Sequence, residues 1–207
     1  MTKTKFCGLT RPEDIKIVNR LKPDYIGFVF FKKSKRNVEP EEAKKLKEKL
    51  DSNIKAVGVF VDEKPEFIAG LANENIIDTI QLHGNEDEKY IGQLRKLTAA
   101  KIIKAFQIKN YNCTKNGTED FLEEVQTSSA DMVLIDSGQG TGTAFNWEIL
   151  KQITRPYFLA GGINTENIEE AVTDIKPYAI DVSSGIETDG VKDEEKMSFI
   201  ISIIRND

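Results

Sequence analysis

Tyr157-Phe-Leu-Ala-Gly-Gly-Ile-Asn-Thr165 and Ala179-Ile-Asp-Val-Ser-Ser-Gly-Ile-Glu187 decide the reading of this chain. Each opens as a short strand run and stops abruptly at small residues, Gly161 and Gly162 in the first and Ser183, Ser184 and Gly185 in the second. Small residues let backbone N–H groups approach an anion closely, and a helix N-terminus just beyond them adds the favourable end of its dipole. The pair reads as a phosphate clamp. One half alone is explained as well by glycines closing a strand-to-helix turn; two halves a helix apart favour a ligand site. Phosphate sites built from the loops after strands seven and eight are a recurring feature of (β/α)₈ barrels. The expected fold is therefore α/β, a single-domain (β/α)₈ TIM barrel over residues 1–207.

The upstream chain agrees. Apolar runs at Lys3–Cys7, Tyr25–Phe30, Lys55–Phe60, Thr79–Leu82, Lys101–Phe106 and Met132–Asp136 read as strands buried on both faces. Between them lie helices: Thr10-Arg-Pro-Glu13 as a capping box opening one to Leu21, Pro40 to Leu50, Pro65 to just before Asn75, one capped by Asn85 and reaching Leu97, and Thr118 to Thr127. A short helix containing Trp147, one at Thr165–Val172 and a last at Lys192–Arg205 complete eight units. Such alternation implies parallel strands joined by right-handed crossovers, with an open doubly wound sheet as the weaker alternative. Lys109–Gly117, with Cys113, reads as a surface loop.

With 39% hydrophobic and 30% charged residues, the chain has the composition of a water-soluble globule. A net charge of −5 leaves no basic footprint for nucleic acid, so an anionic ligand must be gripped locally. The N-terminus has no apolar leader and no run is long enough to span a bilayer, so the expected location is cytoplasmic, with no membrane partner. There Cys7 and Cys113 are expected as thiols, and one histidine with two distant cysteines makes a metal site improbable.

In a barrel, polar residues at the carboxyl ends of strands face the active site. Cys7 ends the first strand, Arg36 follows the second, Gln81 and His83 close the fourth, Asp136 ends the sixth and Asp181 lies within the eighth. A thiol needs only a modest shift to act as a base near neutrality, although an isolated cysteine is more often a small buried hydrophobe. Asp136 suits a general acid or, more plainly, the cap of the next turn. Arg36 stands among Lys32, Lys33 and Lys35; its fork suits a carboxylate, and the run is otherwise a solvated loop. His83 fits a structural or substrate-lining place better than catalysis, since no acid partner stands near it in sequence. Gly138–Gly142 lacks the Gly-Lys-Ser/Thr ending of an ATP-binding loop.

Taken together, Lys5-Phe-Cys-Gly-Leu-Thr10, Gly27-Phe with Ser34-Lys-Arg36, Gln81-Leu-His-Gly84, Leu134-Ile-Asp136 with Gly140-Thr-Gly142 and Phe145-Asn-Trp147, Leu159-Ala-Gly-Gly162 and Asp181-Val-Ser-Ser-Gly185 resemble the phosphoribosylanthranilate isomerases of tryptophan biosynthesis, from end to end. Asn146 stands where that family usually has aspartate, and Gln139 interrupts a more common glycine pair. The resemblance implies a cofactor-free Amadori rearrangement of N-(5′-phosphoribosyl)anthranilate. It implies Cys7 as general base, Asp136 as general acid, Arg36 as the anthranilate-carboxylate contact, and Gly161, Gly162, Ser183, Ser184 and Gly185 as the phosphate grip; Gln81 and His83, from their place at the end of the fourth strand, are expected to bind substrate. A monomer or homodimer binding a small phosphosugar is the expected assembly. Two rivals stand beside it. Another phosphosugar barrel isomerase or epimerase needs metal ligands or a second catalytic aspartate; a non-catalytic phosphosugar-binding module needs no acid–base pair.

Overall fold

The computed structural model describes residues 1–108, 115–138 and 147–206. Eight strands, β1 (Lys3–Cys7), β2 (Tyr25–Phe30), β3 (Lys55–Phe60), β4 (Thr79–Leu82), β5 (Lys101–Gln107), β6 (Met132–Asp136), β7 (Tyr157–Ala160) and β8 (Ala179–Val182), close into a barrel in sequence order. The (β/α)₈ expectation holds. Residues 5–103 form one compact unit, and residues 1–4 with 104–207 a second.

In the first unit β1, β2, β3 and β4 pair in parallel, with Cys7 opposite Gly27 and Val59 opposite Gln81. The strands are apolar on both faces because helices cover the outside: α1 (Pro12–Leu21), α2 (Pro40–Lys47), α3 (Pro65–Asn73) and α4 (Glu88–Leu94). Three of the four carry proline in the first turn, where its missing N–H costs nothing. Phe30 stacks on Phe60 at 5.2 Å between centroids, and Phe67 of α3 meets Phe60 edge-on at 6.5 Å. The helix starts differ from expectation in two places. Asp14 closes the start of α1 by accepting the N–H groups of Thr10 and Arg11, so Arg11 caps the helix and not Thr10. Asp87 caps α4 through Tyr90 N–H at 2.8 Å, because Asn85 is engaged with Asp62 instead.

In the second unit β6, β7 and β8 pair in parallel, with Asp136 opposite Ala160 and Leu159 opposite Ile180. Helix α5 (Lys115–Thr127) ends where the Arg155 guanidinium donates to the carbonyls of Val125, Ser128 and Ala130. Trp147–Gln152 is a 3₁₀ turn, and α6 (Ile168–Glu170) widens at once into a π turn over Ala171–Ile175. After β8 comes a hairpin, β9 (Glu187–Thr188) with β10 (Val191–Lys192), and only then α7 (Glu194–Asn206). The last helix was expected from Lys192; the hairpin claims that residue. Among the described residues no helix is long and apolar enough to cross a membrane.

Candidate active site

Cys7 is the last residue of β1 and is 7% exposed. Its position follows from Gly27, directly opposite: a Cβ there would lie 2.6 Å from Cys7 Sγ, so only glycine leaves room for the thiol. The Gly27 carbonyl accepts the N–H groups of Gly8 at 2.9 Å and Leu9 at 3.1 Å, and Gly8 adopts a φ of 79° to make that turn. The chain beyond the thiol is thereby folded back over β2. Arg36 lies in the loop after β2, half-buried, with its N–H donating to Ser34 Oγ at 3.1 Å.

Gln81, 1% exposed, places its Nε2 3.0 Å from His83 Nδ1, while its Oε1 has no hydrogen-bond partner among the described residues. The loop carrying His83 is fixed by a clasp that sequence reasoning missed. Glu86, buried, accepts the N–H groups of Asp62 at 2.8 Å and Gly84 at 2.9 Å, and Asp62 accepts Asn85 N–H at 2.6 Å. Tyr90 donates its hydroxyl to the Glu63 carbonyl at 2.6 Å, and burial together with the Glu86 and Glu63 charges pushes its phenol well above the ordinary range. Two acidic residues spaced a strand and a helix apart carry no recognisable motif.

In the second unit Asp136 ends β6, and its Oδ1 accepts Gly138 N–H at 2.9 Å. Here too a glycine makes the space: a Cβ on Gly161 would lie 2.5 Å from that same oxygen. Gly161 and Gly162 have φ of 90° and 70°, and Ser137 Oγ donates to the carbonyls of Ala160 and Gly161. The two stretches read as a clamp do meet. Asn164 and Gly185 form a backbone bridge, close enough that a Cβ on Gly185 would lie 2.0 Å from the Ile163 carbonyl oxygen. Helix N-termini do not stand directly behind both loops as expected, since α6 is a single turn and the hairpin follows Ser183–Gly185. That loop is tied instead by Lys192, 6% exposed, whose ammonium donates to the Ser183 carbonyl at 2.9 Å and pairs with Glu187 at 2.7 Å. Asp181 is buried in β8. Cys113, Gln139, Gly140–Gly142, Phe145 and Asn146 lie outside the described residues.

The model of the family "N-(5′-phosphoribosyl)anthranilate (PRA) isomerase" matches residues 4–202. An N-(5′-phosphoribosyl)anthranilate isomerase of Endomicrobium trichonymphae is 42% identical over 206 residues, covering 100% of both chains. A phosphoribosyl anthranilate isomerase crystallised with reduced 1-(o-carboxyphenylamino)-1-deoxyribulose 5-phosphate is 30% identical, with a TM-score of 0.82 over 100% of both chains. Monomers of the dimeric phosphoribosylanthranilate isomerase of Thermotoga maritima are 30% identical, with a TM-score of 0.80 over 99% of each chain.

Proposed function

The chain belongs to the N-(5′-phosphoribosyl)anthranilate isomerase family, and from that premise we propose how its own residues divide the work. It isomerises N-(5′-phosphoribosyl)anthranilate to 1-(2-carboxyphenylamino)-1-deoxyribulose 5-phosphate in tryptophan biosynthesis. Asp136, as a neutral acid, gives a proton to the furanose ring oxygen; the C1′–O bond breaks and leaves a protonated Schiff base. Cys7, as a thiolate, removes the C2′ proton, whose electron pair neutralises the iminium to an enolamine that tautomerises to the aminoketose. The two groups begin in opposite protonation states, as paired acid–base chemistry requires.

The observation that carries this reading is the pair of glycine fits. Cys7 Sγ and Asp136 Oδ1 each sit where a neighbouring glycine lacks a Cβ, Gly27 within β2 and Gly161 just past β7. Arg36 takes the anthranilate carboxylate through its fork, and Gln81 and His83 line the substrate. Gly161, Gly162, Ser183, Ser184 and Gly185 offer backbone N–H groups to the phosphate, supported by the bridge that joins the two loops. The chain is further proposed to work in the cytoplasm as one domain over residues 1–207, as a monomer or homodimer.

The labile substrate, made in situ from anthranilate and phosphoribosyl pyrophosphate, loses its fluorescence as it rearranges. Acceleration of that loss by the parent, and its collapse in Cys7→Ser and Asp136→Asn, is the expected result. Full activity in either variant would remove that residue from the mechanism.

A further inference from the structure

His83 is the only histidine of the chain, and its ring is addressed by the buried amide of Gln81. Gln81 is 1% exposed in β4 among Ile80, Leu82 and Val59 as strand neighbours; its Nε2 lies 3.0 Å from His83 Nδ1, and its Oε1 has no hydrogen-bond partner among the described residues. An amide nitrogen carries only donors. Nδ1 must then be the lone-pair nitrogen of a neutral ring, and the proton sits on Nε2. The reverse amide would accept from an Nδ1–H and leave both of its own N–H donors buried without that partner, where the present orientation leaves one N–H and the carbonyl; an orphaned N–H is the rarer and costlier of the two. Amide orientation and imidazole tautomer are therefore coupled, and burial selects the state in which glutamine donates.

The backbone leaves no other adjustment. His83 N–H donates to the Phe60 carbonyl at 2.8 Å, Gly84 N–H to Glu86 at 2.9 Å, and a Cβ at Gly84 would lie 2.5 Å from Asp62 Oδ1. We infer that Gln81 is a positioning residue that holds His83 in the Nε2-protonated tautomer, so that the ring meets an acceptor oxygen of the substrate as a neutral hydrogen-bond donor. The inference rests on the placement of His83 in the substrate site proposed above. A buried carbonyl without a donor costs stability, and a residue kept at that cost is kept for what it does to its neighbour.

Labelling with ¹⁵N-histidine gives a single imidazole spin system, whose long-range ¹⁵N–¹H pattern in mildly alkaline buffer reports the tautomer directly. The parent is expected to show a protonated Nε2 and a bare Nδ1. Gln81→Glu, which offers only acceptors, is expected to move the proton to Nδ1. Gln81→Met removes both the lock and the orphan carbonyl; its Tm should equal or exceed the parent's while kcat/KM falls roughly tenfold, the scale of one hydrogen bond. A parent ring protonated on Nδ1, or a Gln81→Met enzyme with parental kcat/KM, would overturn the inference. Titration with the reduced product analogue separates this from the site assignment. A His83 signal that moves on binding while the proton is on Nδ1 sinks the tautomer lock alone; the expected tautomer with no response at saturation removes His83 from the substrate site.

Discussion

At the scale of single residues, the two proposed catalytic atoms share a design: each lies against a glycine whose missing Cβ makes its seat. Gly27→Ala places a carbon 2.6 Å from Cys7 Sγ, with Cys7 Cα at 3.1 Å behind it, so the thiol must move or the strands part. Overpacking of this kind costs about 1–3 kcal/mol, and we expect a lowered Tm together with a kcat loss that outruns it. A variant with parental kinetics would show that the thiol's position is unimportant. Cys7→Ser is expected to keep the fold by circular dichroism and lose roughly a hundredfold or more in kcat, the scale of a general base. If the folded variant stays within a few-fold of the parent, Cys7 is a packing residue and Asp181 becomes the first alternative. In the parent, kcat/KM against pH should be a bell, falling in acid as the thiolate is lost and in alkali as the acid ionises, its limbs belonging to the coupled pair. The residue types were legible because polar side chains at strand ends are few. The glycine opposite Cys7 was legible only as part of a motif, since a close approach across a pairing register leaves no local trace.

At the scale of elements, all eight barrel strands stand where the apolar runs placed them, within one residue, because parallel strands covered on both faces announce themselves by continuous hydrophobicity. Helix ends were less legible: the N-cap of α1 is Arg11, with Asp14 closing back on the N–H groups of Thr10 and Arg11, and Asp87 caps α4 while Asn85 is bonded to Asp62. The β9–β10 hairpin was missed although Asp189-Gly190, with φ of 51° and 77°, is a hairpin turn signal. Its strands are two residues each and half charged, too short for alternation to show. The hairpin matters to function through Lys192. Lys192→Met removes the donor to the Ser183 carbonyl and the ion pair with Glu187, so KM should rise more than kcat falls, with lowered stability. Adding Glu187→Gln should restore stability and leave KM high; recovery of KM would mean that the lysine acts only on folding. Asp193 caps α7, accepting from Glu195 and Lys196 N–H and from Thr188, which hold its carboxyl below the ordinary value of 3.8. A depressed folded-state pKa means stability present above the unfolded value and lost as pH falls below it. Asp193→Ala should therefore cost about 1 kcal/mol at neutral pH and little in strong acid, as denaturant titrations at the two pH values would record.

At the scale of the whole molecule, a ring of eight strands has no edge at which unfolding can begin cheaply, although the chain's contacts gather into two compact units. We expect one calorimetric transition, with calorimetric and van't Hoff enthalpies equal; two resolved transitions would overturn the single-domain assignment. Inorganic phosphate at about a hundred times its Kd should add about 2.7 kcal/mol, and so raise Tm by roughly 5–10 °C. It should also inhibit competitively, and Ser184→Asp, which sets a carboxylate in the proposed grip, should abolish both effects.

The hairpin tip lends itself to control. Thr188, Asp189, Gly190 and Val191 are exposed, a Cβ at Gly190 would meet nothing within 4 Å, and only Ile186 and Glu187 separate that tip from the Ser183–Gly185 loop, which the buried ammonium of Lys192 also ties. Exposed turns tolerate grafted sequence. A peptide epitope or small receptor domain spliced between Asp189 and Gly190 would leave the barrel strands untouched and would pull on the grip whenever its own ligand bound, turning substrate affinity into a dial that an experimenter sets from outside.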